Sequence, residues 1–206
     1  MSRRVGAIVP AAGLSRRMGR CKQLLDLGGA TALARVIQAV LGAGIGPVVV
    51  VTAADDVADE AGRFPVTVVR LAGPEGDMAA SARAGLVQLA PDVSGVLVAP
   101  CDHPLVAPGT VAALAREHLL EPEAVIIPSH KGRRGHPTLF PRSLLAKLEE
   151  GLTLRDLLQR LPELVRHLAT DDPAVLLDMD TPEDYRRLKE LLAMGCPLRS
   201  TRTVRL

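Results

Sequence analysis

The stretch VGAIVPAAGLSRRMGRCKQ, residues 5–23, decides the fold. Its first part, Val5 to Pro10, is a short apolar run with no polar alternation. Such a run reads as a strand buried on both faces. A segment of small and basic residues follows at once: Ala11-Ala12-Gly13, then Arg16, Arg17, Arg20 and Lys22. A buried strand that breaks into a Gly-containing loop is a familiar opening of an α/β sheet. Open sheets of that kind bind ligands beyond the carboxyl ends of their strands.

The same rhythm runs outward along the chain. PVVVVT (47–52) and PVTVVR (65–70) read as second and third buried strands, GVLVAP (95–100) as a fourth and AVIIPS (124–129) as another. Helical patterns lie between them at 31–42, 78–89 and 108–118. Gly42, Gly44 and Gly46 end the first, and Pro108 suits the first turn of the last. Helices alternating with strands buried on both faces imply crossovers, a mostly parallel sheet and a three-layer α/β sandwich. After residue 129 the rhythm changes. HKGRRGHPTLF reads as a loop or hairpin leading to a short strand. Helices near 141–149 and 153–160 follow, then short strands near 164–169 and 174–177. A final helix is expected from Thr181-Pro182 to about Met194, with Thr181 as N-cap and Glu183 and Asp184 at the positive end of its dipole. One domain over 1–195 and a basic tail at 196–206 is the economical division.

Bulk composition narrows the function classes. The chain holds two Phe, one Tyr and no Trp, so it has little with which to stack the bases of a single strand. Its net charge is only +2 and its Lys and Arg are dispersed, which gives no nucleic-acid-sized basic face. Three cysteines, Cys21, Cys101 and Cys196, form no CxxC pair and no disulfide framework, so a reducing, cytoplasmic setting is expected. No run is long and apolar enough to span a bilayer, and Val5–Pro10 is too short for a signal-peptide core.

Small residues at 11–13 let a backbone approach a ligand closely and aim N–H groups at phosphates. The four nearby cations suit a triphosphate, on which attack at the α-phosphorus builds further negative charge. Neither GxxxxGK[ST] nor GxGxxG occurs in this segment, so it is not a Walker A loop or a dinucleotide fingerprint. Composition alone leaves two readings open: a phosphate loop, or an ordinary connection with solvated arginines. Asp102 by itself is a turn former. Paired with Asp178 or Asp180 after a later strand, it becomes half of a carboxylate metal site. His103 beside it invites a transition-metal reading, but His118, His130 and His167 show no ligand spacing. Cys21, beside Arg20 and Lys22, is a candidate for modest reactivity.

Taken together, the motifs resemble those of the MobA-like nucleotidyltransferases. The resemblance rests on the Ala-Ala-Gly loop with Ser15, Arg17-Met18-Gly19 and Lys22. It continues through Gly76-Asp77-Met78-Ala79-Ala80-Ser81 with Gly85-Leu86, and through Pro100-Cys101-Asp102-His103-Pro104-Leu105. Gly135-His136-Pro137 and Asp178-Met179-Asp180-Thr181-Pro182-Glu183-Asp184 complete it. It is closest to the molybdenum cofactor cytidylyltransferase type and departs from the usual pattern at His103, where Gln is common. The resemblance implies a Rossmann-like sheet of the nucleotide-diphospho-sugar transferase type. It also implies transfer of a nucleotidyl group from an NTP to a phosphorylated acceptor, with release of pyrophosphate.

Residue roles follow from the same resemblance. Arg17 and Lys22 would be the catalytic cations, and Ala11, Ala12, Gly13, Ser81 and Asp102 would contact the nucleotide. Asp102, Asp178 and Asp180 would hold Mg²⁺. Gly135, His136 and Pro137 would face the acceptor. CTP is the expected donor, because a methyl at Ala12 narrows the space that a second Gly would leave for a purine. Molybdopterin is the expected acceptor, and a molybdoenzyme or cofactor-delivery partner is implied. The alternatives are a GTP-dependent guanylyltransferase, a sugar- or alcohol-phosphate cytidylyltransferase, and a non-catalytic cofactor chaperone. Only a catalyst needs the cations and carboxylates together.

Overall fold

The computed structural model describes residues 4–13, 18–73 and 77–194. These residues form one eight-stranded sheet. Strands β1 (Arg4–Pro10), β2 (Val48–Thr52), β3 (Thr67–Arg70) and β4 (Val93–Val98) make its first part, in the order β3-β2-β1-β4, and every pair among them is parallel. Beyond β4 the sheet continues through β7 (Thr138–Pro141) to β5 (Val125–His130), both pairings antiparallel. The short β6 (Arg133–Arg134) and β8 (Val165–Ala169) both join β5, the latter in parallel.

Alternation within the buried strands divides the core in two. Ala7 and Val9 face one side with Val48, Val50, Leu97 and Ile126. Helices α1 (Ala32–Gly42), α2 (Asp55–Ala61), α4 (Pro108–Leu120) and α7 (Pro182–Ala193) supply Val36, Val57, Leu114 and Leu188 to that layer. Ile8, Val49, Val51, Val98 and Ile127 face the other side, where α3 (Met78–Gln88), α5 (Arg142–Leu145) and α6 (Leu154–Arg160) pack. The result is the expected three-layer α/β architecture around a mostly parallel sheet. The core is aliphatic, and each fully buried Leu, Ile or Val contributes about 1.5–3 kcal/mol relative to exposure. Gly85 of α3 is part of this fit. A Cβ there would lie 2.8 Å from the Ile8 side chain, so only glycine lets the helix sit this close to β1.

Four readings need correction. The 65–70 strand is not fully buried, because β3 is the sheet edge and pairs only with β2. The segment near 174–177 is a 3₁₀ turn, Pro173–Leu176, and not a strand. Asp172 caps that turn by accepting from the Ala174 N–H at 2.9 Å, and Pro173 sets its first position. Helix α2 was not expected. Its sequence, DDVADEA, has one branched residue and buries mostly Ala, so the apolar period is faint. Finally, the fourth strand runs Val93–Val98 and not 95–100, which leaves Asp102 in the turn beyond it. Residues 196–206 lie outside the described residues. Among the described residues, no helix is long and apolar enough to cross a membrane.

Candidate active site

The carboxyl ends of β1 and β4 lie side by side, because the two strands are parallel neighbours. The loop after β1 begins with Ala11, whose N–H still bonds to Val51 O at 2.8 Å. Ala11 and Ala12 are buried and Gly13 is exposed. One residue holds this loop in shape, and the motif reading passed over it. Gln23, 2% exposed, donates its amide to Ala11 O at 3.1 Å and to Gly13 O at 2.9 Å. Its amide oxygen accepts from Cys21 Sγ at 3.2 Å. The available signal was a polar amide wedged between Lys22 and the apolar pair Leu24-Leu25. A buried amide in such a place must find partners.

Gln23 belongs to a 3₁₀ turn, Lys22–Leu24, that aims the preceding lysine inward. Lys22 Nζ lies 2.8 Å from Asp180 Oδ1 and 3.2 Å from Asp102 Oδ2. Three chain segments therefore meet at one ammonium. The Met179 N–H donates to Asp102 O at 2.9 Å and locks two of those segments together. A capping box at the start of α7 fixes Asp180 from the other side: Thr181 Oγ1 accepts from the Asp184 N–H, and Asp184 Oδ2 accepts from the N–H groups of Asp180 and Thr181. Met179 is fully buried, while Asp178 is exposed. The structure thus brings Asp102 and Asp180 together on Lys22. Among the described residues, no group of three His, Cys, Asp or Glu side chains forms a metal cluster. Arg17, expected as the second cation, lies outside the described residues.

The electrostatics follow from these contacts. Burial works against the charged form of Asp102, but the His103 hydrogen bond and the Lys22 charge outweigh it and hold the carboxyl well below its usual range. Burial likewise opposes the Lys22 charge, and Asp102 and Asp180 overcome it, so its pKa is raised. Lys22 and Asp102 are thereby held ionised and paired at neutral pH. Burial raises the thiol pKa of Cys101 and, against opposing backbone hydrogen bonds, that of Cys21. The idea of a reactive Cys21 is corrected by that burial, which disfavours its thiolate.

The predicted acceptor segment lies next door. Gly135 donates to Pro128 O at 2.8 Å, and His136 N–H donates to Val175 O at 2.9 Å. A Cβ on Gly135 would lie 2.2 Å from Val175 O, so no other residue fits there without moving the backbone. The His136 ring sits 4.7 Å from that of His103, and His103 Nδ1 is 2.9 Å from Asp102 Oδ1. Two imidazoles thereby connect the Gly-His-Pro turn to the carboxylate pair. Burial, followed by the neighbouring His103, lowers the His136 pKa to about 4, so its ring is neutral at neutral pH. His136 Nδ1 and Ser81 Oγ are both buried without a hydrogen-bond partner. Pro137 follows a cis peptide bond.

Two cavities meet here. A small one of about 110 Å³ is lined by Ala12, Gly13, Lys22, Ser81 and Asp102. A larger one of about 870 Å³ is lined by His136 and by apolar residues including Val98, Ile127, Phe140 and Leu154. Met78 borders both. Polar loop, paired charges and an adjoining apolar chamber at the carboxyl edge of a parallel sheet define the class: an α/β fold of the nucleotidyltransferase kind.

Comparison with known proteins makes the assignment specific. Residues 7–171 match the MobA-like NTP transferase domain, and the chain belongs to that family of nucleotidyltransferases. It is 30% identical to the molybdenum cofactor guanylyltransferase of Sinorhizobium fredii, over 93% of each chain. A nucleotidyl transferase from Methanothermobacter thermautotroptrophicus superposes with a TM-score of 0.83 at 25% identity, covering 94% of this chain and 100% of that one. Rv0371c of Mycobacterium tuberculosis H37Rv superposes with a TM-score of 0.79 at 29% identity, covering 92% of this chain and 99% of that one. A structure of Rv0371c in complex with manganese is also similar, with a TM-score of 0.73 at 28% identity over 92% and 99% of the two chains.

Proposed function

We propose that this protein transfers the nucleotidyl group of an NTP to the phosphate of molybdopterin, with CTP as donor. The observation that carries this reading is the meeting of Lys22, Asp102 and Asp180 beside the Ala11–Gly13 loop. An oxygen of the acceptor phosphate attacks the α-phosphorus. The bond from that phosphorus to the bridging oxygen breaks, and pyrophosphate leaves with the electron pair. The protein's part is to position the reactants and stabilise charge. Lys22, kept protonated by its carboxylates, neutralises charge that builds on the phosphates. Arg17 supplies a second cation. The buried, unpartnered Ser81 Oγ offers a hydrogen bond to the nucleotide, and the Gly135–Pro137 turn faces the acceptor.

Asp102 and Asp180 fit a divalent cation, because both carboxylates already reach a single positive centre and are hard oxygen donors. Mg²⁺ would supply Lewis-acid neutralisation of the triphosphate there. Manganese in the Rv0371c structure supports a metal of this type. The exposed Asp178 is assigned no part in holding it.

Buried Ala12 on the wall of the small cavity supports CTP, since its methyl occupies space that a purine would need. The guanylyltransferase activity of the Sinorhizobium relative favours GTP as a second reading. Pyrophosphate release with each of the four NTPs and molybdopterin, with and without EDTA, tests the proposal. Release with CTP that EDTA abolishes is expected. Faster release with GTP would replace the donor, and no release with any NTP would overturn the reaction.

A further inference from the structure

The larger cavity carries charge that the transfer chemistry does not use. Arg134, in β6, and Arg155, in the first turn of α6, both line it. Many arginines of this protein are occupied. Arg35, Arg83 and Arg142 donate to backbone carbonyls, and Arg166 pairs with Glu121. Among the described residues, the side chains of Arg134 and Arg155 make no hydrogen bond or ion pair. Asp77, the one carboxylate among the described residues that line the cavity, is committed as the N-cap of α3, accepting from the Ala80 N–H. His136 is neutral there. The chamber therefore combines apolar walls with two uncommitted guanidinium groups from two separate elements.

We propose that Arg134 and Arg155 form an anion-recognition site for the acceptor, separate from the Lys22–Asp102–Asp180 cluster. The site selects a ring-bearing molecule that carries negative charge besides the phosphate that reacts. This inference rests on the reading that the large cavity takes the acceptor. Three observations support it. The reacting phosphate must lie at the small cavity, where Lys22 and the Ala11–Gly13 loop are, and neither arginine lines that cavity. A cavity of about 870 Å³ falls within the range of drug-sized ligand pockets, roughly 300–1,000 Å³. Guanidinium groups recognise planar or multidentate anions through forked, charge-assisted hydrogen bonds, which a lysine could not reproduce. The arginines act by holding and selecting the acceptor, and the nucleotide should not sense their loss.

The test uses the full chain and two fluorescent probes of the same shape, 1-anilinonaphthalene-8-sulfonate and the neutral N-phenyl-1-naphthylamine. Titrations compare the wild type with an Arg134→Gln, Arg155→Gln double variant. The sulfonate should bind about tenfold more weakly to the variant, the size of one lost charge-assisted contact, while the neutral probe is unchanged. In the transfer assay, the variant's KM for molybdopterin should rise by about the same factor, with the KM for the NTP unmoved. Equal weakening of both probes, or unchanged sulfonate binding, overturns the anion site. A wild type that discriminates the probes as expected but never uses molybdopterin would sink the functional reading and leave the anion site standing.

Discussion

The two cavities on either side of Met78 are built on opposite principles. In the small one the charged groups are already paired, Lys22 with Asp102 and Asp180, and the loop carbonyls are bonded by Gln23. In the large one His136 Nδ1 and the Arg134 and Arg155 side chains have no partner among the described residues. On the proposed function, the difference separates two tasks. Charge stabilisation during phosphoryl chemistry depends on groups fixed before the reaction begins, so reorganisation is small. Recognition of a bulky acceptor depends on apolar surface and on polar groups that wait for the ligand. Substitutions in the first cavity should therefore lower turnover or nucleotide affinity, and those in the second should act on acceptor affinity.

Lys22→Ala probes the contrast most severely. Turnover should fall on the order of 10²–10³-fold, as when one preorganised transition-state contact is lost. The substitution also leaves Asp102 and Asp180 without their shared cation, so some loss of thermal stability should accompany it. Single-turnover pyrophosphate release, measured well below the variant's Tm, isolates the chemical effect. A folded variant with wild-type turnover would remove Lys22 from the mechanism.

Gln23→Leu asks whether the loop must be held. With no amide, Gly13 O loses the Gln23 donor, Ala11 O keeps only the long contact from Thr52 Oγ1, and the loop loosens. The KM for the NTP should rise by about tenfold, the size of one lost hydrogen bond in a buried network, with the KM for the acceptor unchanged. If both constants rose together, Gln23 would be a general packing residue and the two cavities would be less independent than they look.

Ala12→Gly concerns nucleotide choice. Removing a single methyl should move the ratio of kcat/KM for CTP over GTP towards GTP by about tenfold, the low end of what one methyl discriminates. An unchanged ratio would mean that the base does not lie against Ala12.

The smallest expected effect is on stability. His136 has a folded pKa lowered from 6.5 to about 4. Between those values the unfolded chain binds a proton that the native ring refuses. Stability is therefore intact above pH 6.5 and falls as pH drops towards 4. His136→Gln removes that contribution. The fall in Tm between pH 7 and pH 5 should be smaller in the variant by about 2–5 °C, after allowance for solvent screening. Parallel Tm profiles would mean that His136 protonates freely in the folded protein.

Local pattern was sufficient for much of this molecule. The runs 5–10, 47–52 and 95–100 announce themselves as buried strands, with bounds a residue or two off, because nearly every residue must be apolar when both faces are covered. The start of α7 was equally legible, since Thr181, Pro182 and Asp184 satisfy its first turn with their own side chains. The motif residues Lys22, Asp102 and Asp180 stood out by type and by position after strands. What only the tertiary structure decided were relations between segments remote in the chain. Asp180 rather than Asp178 meets Lys22, because buried Met179 and the α7 cap set the orientation of their segment. Pro173–Leu176 abandons a strand for a 3₁₀ turn, because Asp172 caps it. Gln23 is a clamp only because the chain folds back over residues 11–13, and Arg134 and Arg155 share a cavity only because β6 and α6 are packed around it. Periodicity and capping are properties of neighbouring residues, whereas charge pairing and cavity shape depend on distances that only the packed chain defines.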